Sequence, residues 1–373
     1  MFRSVLYCVV IYAFIRSLFN VKFQRRKIYE EANRIGNSGG YGIGVSGVRL
    51  ETKTEAVTEA EKKETEPKET EGSAAAITFK LADNQADGTP NVSGDTKFAE
   101  LVNEYTGGTV VVEIFPNGTL GDEASVADML EADTLDIARI STNGISPSCD
   151  AFNVFGMPYV FPSDEIKYKA LDGEFGQTLT AKLEEETGLI NLAYFVSGPR
   201  SFYTTKKEIH SVADMAGLKL RAQDDAITIA MMEALGASAT PMNYAEVYSA
   251  LETGVVDGAE NDFTSYYSSG HYEVAKYYSL DMHTAPSSLL VMSAGAWNSL
   301  SAEQQEQVRK AAAEAEAYQR TLVEDYIAES RQRVEEGGAT IIEVDVVEFQ
   351  NACQPVYDKF PQYNDLIALI PAE

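Results

Sequence analysis

The sequence predicts an α/β fold in two domains. From Ile77 onward, apolar stretches of strand length alternate with helix-period patterns. The alternation restarts near Arg200, as a second unit of the same kind. Later, roughly thirty-five residues of strong helix formers follow one another, a run longer than one small domain. Strand–helix alternation implies largely parallel sheets, and at ~150 residues per domain the length of 373 residues is enough for two.

Taken in chain order, residues 1–76 stand apart. Ser4–Ile15, SVLYCVVIYAFI, is an apolar run behind Arg3. It falls short of the ~20 residues a membrane span needs and has the length of a signal-peptide core. Residues 1–27 therefore read as an apolar leader, a signal or an anchor, with a wrongly assigned start or a disordered leader as alternatives. Residues 28–76 end in ETKTEAVTEAEKKETEPKETEGSAAA, which is charged, poor in aromatics and unable to bury a core. They read as an acidic tether between a membrane and a globular body.

In the body, ITFKLA (77–82) is a strand and DNQADGTP a turn-rich loop. Asp95 is the expected cap of a helix whose Phe98, Leu101, Val102 and Tyr105 keep helical spacing, and Gly107-Gly108 end it. TVVVEIF (109–115), apolar almost throughout, is a strand covered on both faces. Ala124–Glu131 is a helix and TLDIARI (134–140) a strand. In the second unit, SFYTT (201–205) and GLKLR (217–221) are strands. DDAITIAMMEALG is a helix with Asp224 or Asp225 at its N-cap and Gly236 just past its end. NYAEVYSALETG is a helix closed by Gly254, and VVDGAEN (255–261) a strand. Ser301 ahead of Gln304 is a capping box for the long helix, which should run along or across both units.

Composition narrows the function. With 57 acidic residues against 30 basic ones the net charge is -27, which argues against nucleic acid. It leaves room for a small anion, because a few buried arginines can dominate a pocket. Cys8, Cys149 and Cys353 form no disulfide or metal pattern, and His210, His271 and His283 are too scattered for a zinc site. No cofactor and no metal is expected.

Arg221 carries the chemistry. It closes one strand, and Asn261 closes another after a helical crossover. In open α/β sheets ligands sit beyond the carboxyl ends of strands, so both residues should reach the same crevice edge. A guanidinium fork beside an amide suits a carboxylate with neighbouring hydroxyls. The alternative is a purely structural pairing of Arg221 with Asp224 or Asp225.

At these residues the chain resembles a known family. SVADMAGLKLRAQ, LGASATPMNYAEVYSALETGVVDGAEND and HYEVAKYYSL are similar to the solute-binding subunits of TRAP transporters, the DctP family, as are FPNGTLGDE and FGMPYVF. The likeness covers roughly residues 77–373. It implies a two-domain periplasmic-binding-protein-like fold with a hinge and a long helix spanning both domains. Residues 77–198 plus 286–326 would form domain I, and 199–285 plus 327–373 domain II. It also implies a non-catalytic, extracytoplasmic protein, periplasmic or tethered to the outer face of the cell membrane; a monomer is expected, although some members of the family dimerise. Such a protein captures an organic acid by hinge closure and delivers it to the permease subunits of the transporter.

By motif, the resemblance carries ligand-binding roles to Arg221, Arg200 and Asn261 around the carboxylate and to Tyr244 as an aromatic lining. Asn84, Glu123, Ser141 and Thr142 would face the rest of the ligand, and Gln223 adds a polar contact. Other readings remain for three of them: Glu123 or Asn84 as local caps, and Tyr244 as core. Glu260 and Asp262 are expected to be solvated or hinge-bonding. The motifs GPRSFY, RAQ and GAEND look closest to sugar-acid, particularly hexuronate, members. A sugar acid needs one anionic anchor and many hydroxyl partners. A dicarboxylate would want cations at both ends, and Arg139, the nearest first-domain cation, is expected to point away along its strand. The other readings are a C4-dicarboxylate or other organic acid, a sensor using the same cleft, and a carbohydrate-active enzyme with Glu123 and Glu260 as a carboxylate pair. One departure from the family is that no lipobox cysteine precedes Glu51.

Overall fold

The computed structural model describes residues 76–372; the leader and nearly all of the tether lie outside the described residues. Among the described residues eleven strands form two sheets: β1 Ile77–Ala82, β2 Val110–Phe115, β3 Ile137–Ser141, β4 Ile190–Val196, β5 Arg200–Thr204, β6 Lys219–Ala222, β7 Ser238–Pro241, β8 Gly258–Asn261, β9 Tyr277–Thr284, β10 Ser287–Met292 and β11 Thr340–Ile342. The first sheet has the order β2-β1-β3-β10-β4 and the second β11-β9-β5-β8-β6-β7.

In each sheet all strands but one share a direction. The exceptions are β10, antiparallel to β3 and β4, and β5, antiparallel to β8 and β9. Both are the strands on which the chain arrives from the other sheet, through residues 197–199 and 285–286. A strand that starts where the sheets face each other must run outward. The others end there, so their carboxyl ends and the first residues of β5 and β10 meet at one edge. The expected parallel sheets are present, with one inverted strand apiece.

Most of the expected elements form. Asp225 caps the helix Ala226–Ala234 by accepting from Thr228 N, and Gly236 follows with φ 89°, the left-handed conformation a helix stop needs. The long helix is Ala302–Glu336, 35 residues, or about 50 Å. Both arms of its capping box close: Gln304 N donates to Ser301 Oγ at 3.2 Å, and Ser301 N to Gln304 Oε1 at 3.0 Å. Val308, Ala311, Ala312 and Ala315 pack with Phe98 and Phe195 under the first sheet. Near its other end, Val334 joins Tyr203, Tyr266 and Tyr278 under the second. Between them Gln319, fully buried, accepts from Val196 N at 3.1 Å and donates to Val196 O at 2.7 Å. The helix is thereby pinned beside the first crossover and serves both cores.

Three expectations are corrected, the first being the strand expected from Val255, which starts at Gly258. Asp95 does not cap its helix, which begins five residues earlier at Pro90, with Thr89 as N-cap. Pro at the first turn fits because its missing N–H would have no partner there anyway. Asp95 is left in the helix interior with no exposed surface. The third strand starts at Ile137 rather than Thr134, because residues 134 and 135 bond back to Met129 O in the turn after the preceding helix.

Candidate functional site

Between the two sheets lies a cleft of about 600 Å³, within the range of small-molecule sites. Of the nine predicted residues, Arg221, Asn261, Arg200, Glu123, Tyr244, Asn84, Ser141 and Gln223 line it. Thr142 does not. Its side chain is fully buried beneath Ser141, and its Oγ1 has no hydrogen-bond partner.

The second-sheet wall is built on β5, β6 and β8. β6 and β8 pair directly, Leu220 opposite Gly258, and Ser201 of β5 faces Asn261. Arg200, Arg221 and Asn261 therefore emerge together. Arg200 is fully engaged: it donates to both Glu260 carboxylate oxygens, at 2.5 and 2.7 Å, to the Glu260 carbonyl at 2.9 Å and to Asn261 Oδ1 at 2.6 Å. Behind Glu260 stands His283, 3.5 Å away, whose Nδ1 lies 2.6 Å from Asp281. Burial opposes charge on His283, but the two carboxylates outweigh it and hold the imidazole at about 9. Burial likewise opposes charge on Glu260, yet Arg200 and His283 bring it down to about 2. An alternating chain of charges, Asp281, His283, Glu260, Arg200, thus underlies the wall.

Arg221 is different. Its side chain reaches only the Met242 carbonyl, from Nε at 3.2 Å and Nη2 at 2.9 Å. Neither Asp224 nor Asp225 takes it; Asp225 is occupied as a cap. Among the described residues three lysines and arginines are buried. Arg139 pairs with Asp83 and Glu123, and Lys167 with Asp164, while Arg221, 4% exposed, has no carboxylate partner. Burial, and then repulsion from Arg200, hold its pKa below the ordinary arginine value against the pull of Glu260. A buried guanidinium in this state has an uncompensated charge, which an anion could offset.

The first-sheet wall is polar and self-bonded. Glu123 accepts from Ser141 N at 2.9 Å and from Ser141 Oγ at 2.6 Å, and Arg139 Nη1 approaches it at 3.3 Å. It does not cap its helix; Asp122 does, through Ser125 N. Arg139 also donates to Asn84 Oδ1 and, at 3.1 Å, to Ser288 Oγ. The expectation that Arg139 points away is wrong. Strand alternation puts it on the face of Ser141, two residues on. It brings no free cation, since Asp83 and Glu123 flank it.

Other cleft residues were not anticipated. His271 lines the cleft, bonded through Nδ1 to Tyr203 Oη at 2.8 Å. Burial and Arg221 push its pKa down to about 4, so it is neutral. Two asparagines bridge the walls. Asn243 donates to Asp122 Oδ2 at 2.8 Å, and Asn143 to Asp225 Oδ2 at 3.1 Å. Asp262, expected to be solvated or hinge-bonding, is buried. It caps the helix Phe263–Ser268 through Ser265 N at 2.8 Å and accepts from Gly198 N, in the first crossover, at 3.2 Å. Glu260, also buried, is locked to Arg200 behind the wall, so it and Glu123 do not form the carboxylate pair a glycosidase requires. No cluster of metal-ligating side chains occurs among the described residues, and no helix there is long and apolar enough to cross a membrane.

Residues 81–363 match the family model described as bacterial extracellular solute-binding protein, family 7 (DctP). The chain is 39% identical over 274 residues to a solute-binding protein of Chromohalobacter salexigens, covering 73% of this chain and 81% of the relative. Its fold is similar to that of a TRAP periplasmic solute-binding protein from Sulfitobacter sp. NAS-14.1 with bound β-D-galacturonate. The TM-score is 0.76 at 37% identity, covering 79% of this chain and 99% of the other. A second such structure, from Chromohalobacter salexigens with bound D-glucuronate, matches with a TM-score of 0.76 at 36% identity, covering 78% and 98%.

Proposed function

This chain belongs to the DctP family of bacterial extracellular solute-binding proteins, the solute-binding subunits of TRAP transporters, and from that premise we propose that it captures a hexuronate and passes it to membrane permease subunits. The observation that carries this reading is the buried Arg221 without a carboxylate partner, beside Asn261 and Arg200. The ligand carboxylate would take the free side of the Arg221 fork, with Nη1 and Nη2 as charge-assisted donors. Arg200, already neutralised by Glu260, would act as an oriented hydrogen-bond donor rather than a second charge. The opposite wall, Glu123, Ser141, Asn84 and Arg139, offers acceptors and donors for ring hydroxyls. Similar structures with galacturonate and glucuronate bound support this assignment.

The reading includes binding without turnover, by closure of one wall on the other. Closure removes water from the ion pair and strengthens it, and that energy favours the closed state. The two sheets would be the cores of two ligand-binding domains, divided at residues 198–199 and 285–286 and along the long helix. We place the protein outside the cytoplasmic membrane as a monomer, periplasmic or tethered to the outer face of the cell membrane.

Thermal-shift and calorimetric titration with D-glucuronate, D-galacturonate, succinate and malate tests this. The expected result is a large stabilisation by a hexuronate with the sugar recovered unchanged. Stabilisation by the dicarboxylates alone, or a chemically altered sugar, overturns it.

A further inference from the structure

Three buried carboxyl oxygens behind the first-sheet wall have no hydrogen-bond donor: Asp83 Oδ2, Asp95 Oδ1 and Asp95 Oδ2. Asp83 follows β1 and is 2% exposed, and Asp95 is fully buried. The donors are unevenly placed. Asp83 Oδ1 accepts from Arg139 Nε at 2.9 Å, from Arg139 Nη2 and from Gln85 N at 2.7 Å, while Oδ2 accepts from none. Asp83 is the carboxyl that acts on Asp95 by charge and by side-chain hydrogen bonding, and two buried carboxyls so paired resist double ionisation. One proton resolves the arrangement. On Asp95 it makes an O–H that donates to Asp83 Oδ2. Burial, and then the charge of Asp83, push the Asp95 carboxyl well above the usual carboxylate range, in agreement with that placement.

We propose that Asp95 is a neutral acid and a positioning residue: through Asp83 it fixes Arg139 in the cleft wall and makes that wall a hydroxyl-binding surface that rejects a second carboxylate. Held by Asp83, Arg139 keeps Nη1 directed to Ser288 and Glu123 and Nη2 to Asn84. Its charge is matched by Asp83 and Glu123, so no cation is available to the far end of a ligand. The site therefore takes an acid with one carboxylate and a hydroxylated body and excludes aldaric acids, which carry a carboxylate at each end. The selectivity rests on the hexuronate reading above; the proton on Asp95 does not.

Infrared difference spectroscopy of the ligand-free full chain tests the proton, and calorimetry with D-glucuronate and D-glucarate tests its consequence. The wild type should show the C=O stretch of a buried protonated carboxylic acid, absent in Asp95→Asn. Asp95→Asn, whose amide still donates to Asp83, should retain glucuronate binding, whereas Asp95→Leu, with no donor, should lose roughly tenfold or more. Both wild type and Asp95→Asn should reject glucarate. Absence of the acid band overturns the proposal. So does unimpaired glucuronate binding in a folded Asp95→Leu, or tight glucarate binding by the wild type. If Asp95→Leu does not fold, the band and the Asp95→Asn comparison still decide. If the wild type shows the acid band but binds no hexuronate, the functional reading fails and the assignment of the proton stands.

Discussion

Asn243 Nδ2 donates to Asp122 Oδ2 at 2.8 Å, joining the two walls of the cleft. The same device recurs with the roles exchanged. Asp122 caps a first-wall helix through Oδ1 and receives an asparagine of the second wall on Oδ2. Asp225 caps a second-wall helix through Oδ1 and receives Asn143 of the first wall on Oδ2. Each capping carboxylate is thus half a cap and half a latch. Hydrogen bonds to charged groups contribute about 1.5–3 kcal/mol when shielded and less when exposed, and Asn143 is the more buried donor. Asn143→Ala should raise the ligand dissociation rate about tenfold, and Asn243→Ala by less. Stopped-flow release checks this. Unchanged rates in the double variant would show that the latch does not hold the closed state.

The charge chain under Arg200 sets a pH window. The His283 pKa is raised in the folded protein from its ordinary 6.5 to about 9. Its contribution to stability is full below 6.5 and is lost as pH rises through about 9. Glu260 is lowered from 4.5 to about 2, so its contribution is full above 4.5 and is lost as pH falls through about 2. Thermal unfolding should show a plateau between 4.5 and 6.5 from this chain, with a decline on the alkaline side. His283→Gln should cost about 3 kcal/mol at the plateau and flatten that decline. Parallel pH profiles for variant and wild type would contradict the assignment.

Gly258 of β8 lies opposite Thr204 of β5. A Cβ there would strike the Tyr203 carbonyl oxygen and approach Thr204 Cγ2 at 2.9 Å. The obstacle is backbone, so no rotamer change relieves it. Gly258→Ala should destabilise the fold by about 1–3 kcal/mol and shift Arg200 against Asn261, weakening ligand binding as well. Denaturant unfolding and calorimetry on one preparation read both effects. Full stability would mean that the strands separate freely.

The parts of the site legible in the sequence are those fixed by position in a strand. Arg221 and Asn261 lie at the carboxyl ends of strands, and in an α/β sheet that places them at the crevice. Asp225, Gly236 and the Ser301–Gln304 box are local signals that hold in isolation. Strand alternation alone puts Arg139 on the face of Ser141, whereas its partner Asp83 lies 56 residues away. The helix starts at Thr89-Pro90, a stronger local signal than an acidic residue in mid-pattern. Partnerships across the cleft, such as Asn143 with Asp225, depend on how the two sheets face each other, which no local spacing encodes. The inverted strands β5 and β10 follow from the order in which the chain visits the sheets, which is likewise not a local property.

The most direct test is calorimetric titration of D-glucuronate and D-galacturonate into the wild type and Arg221→Ala, with unfolding of the ligand-free proteins alongside. Removing the anchor should lower affinity about a hundredfold or more. The ligand-free Arg221→Ala protein should be at least as stable as the wild type, because an unpaired buried charge has been removed. Undiminished affinity for both hexuronates in Arg221→Ala would contradict the account.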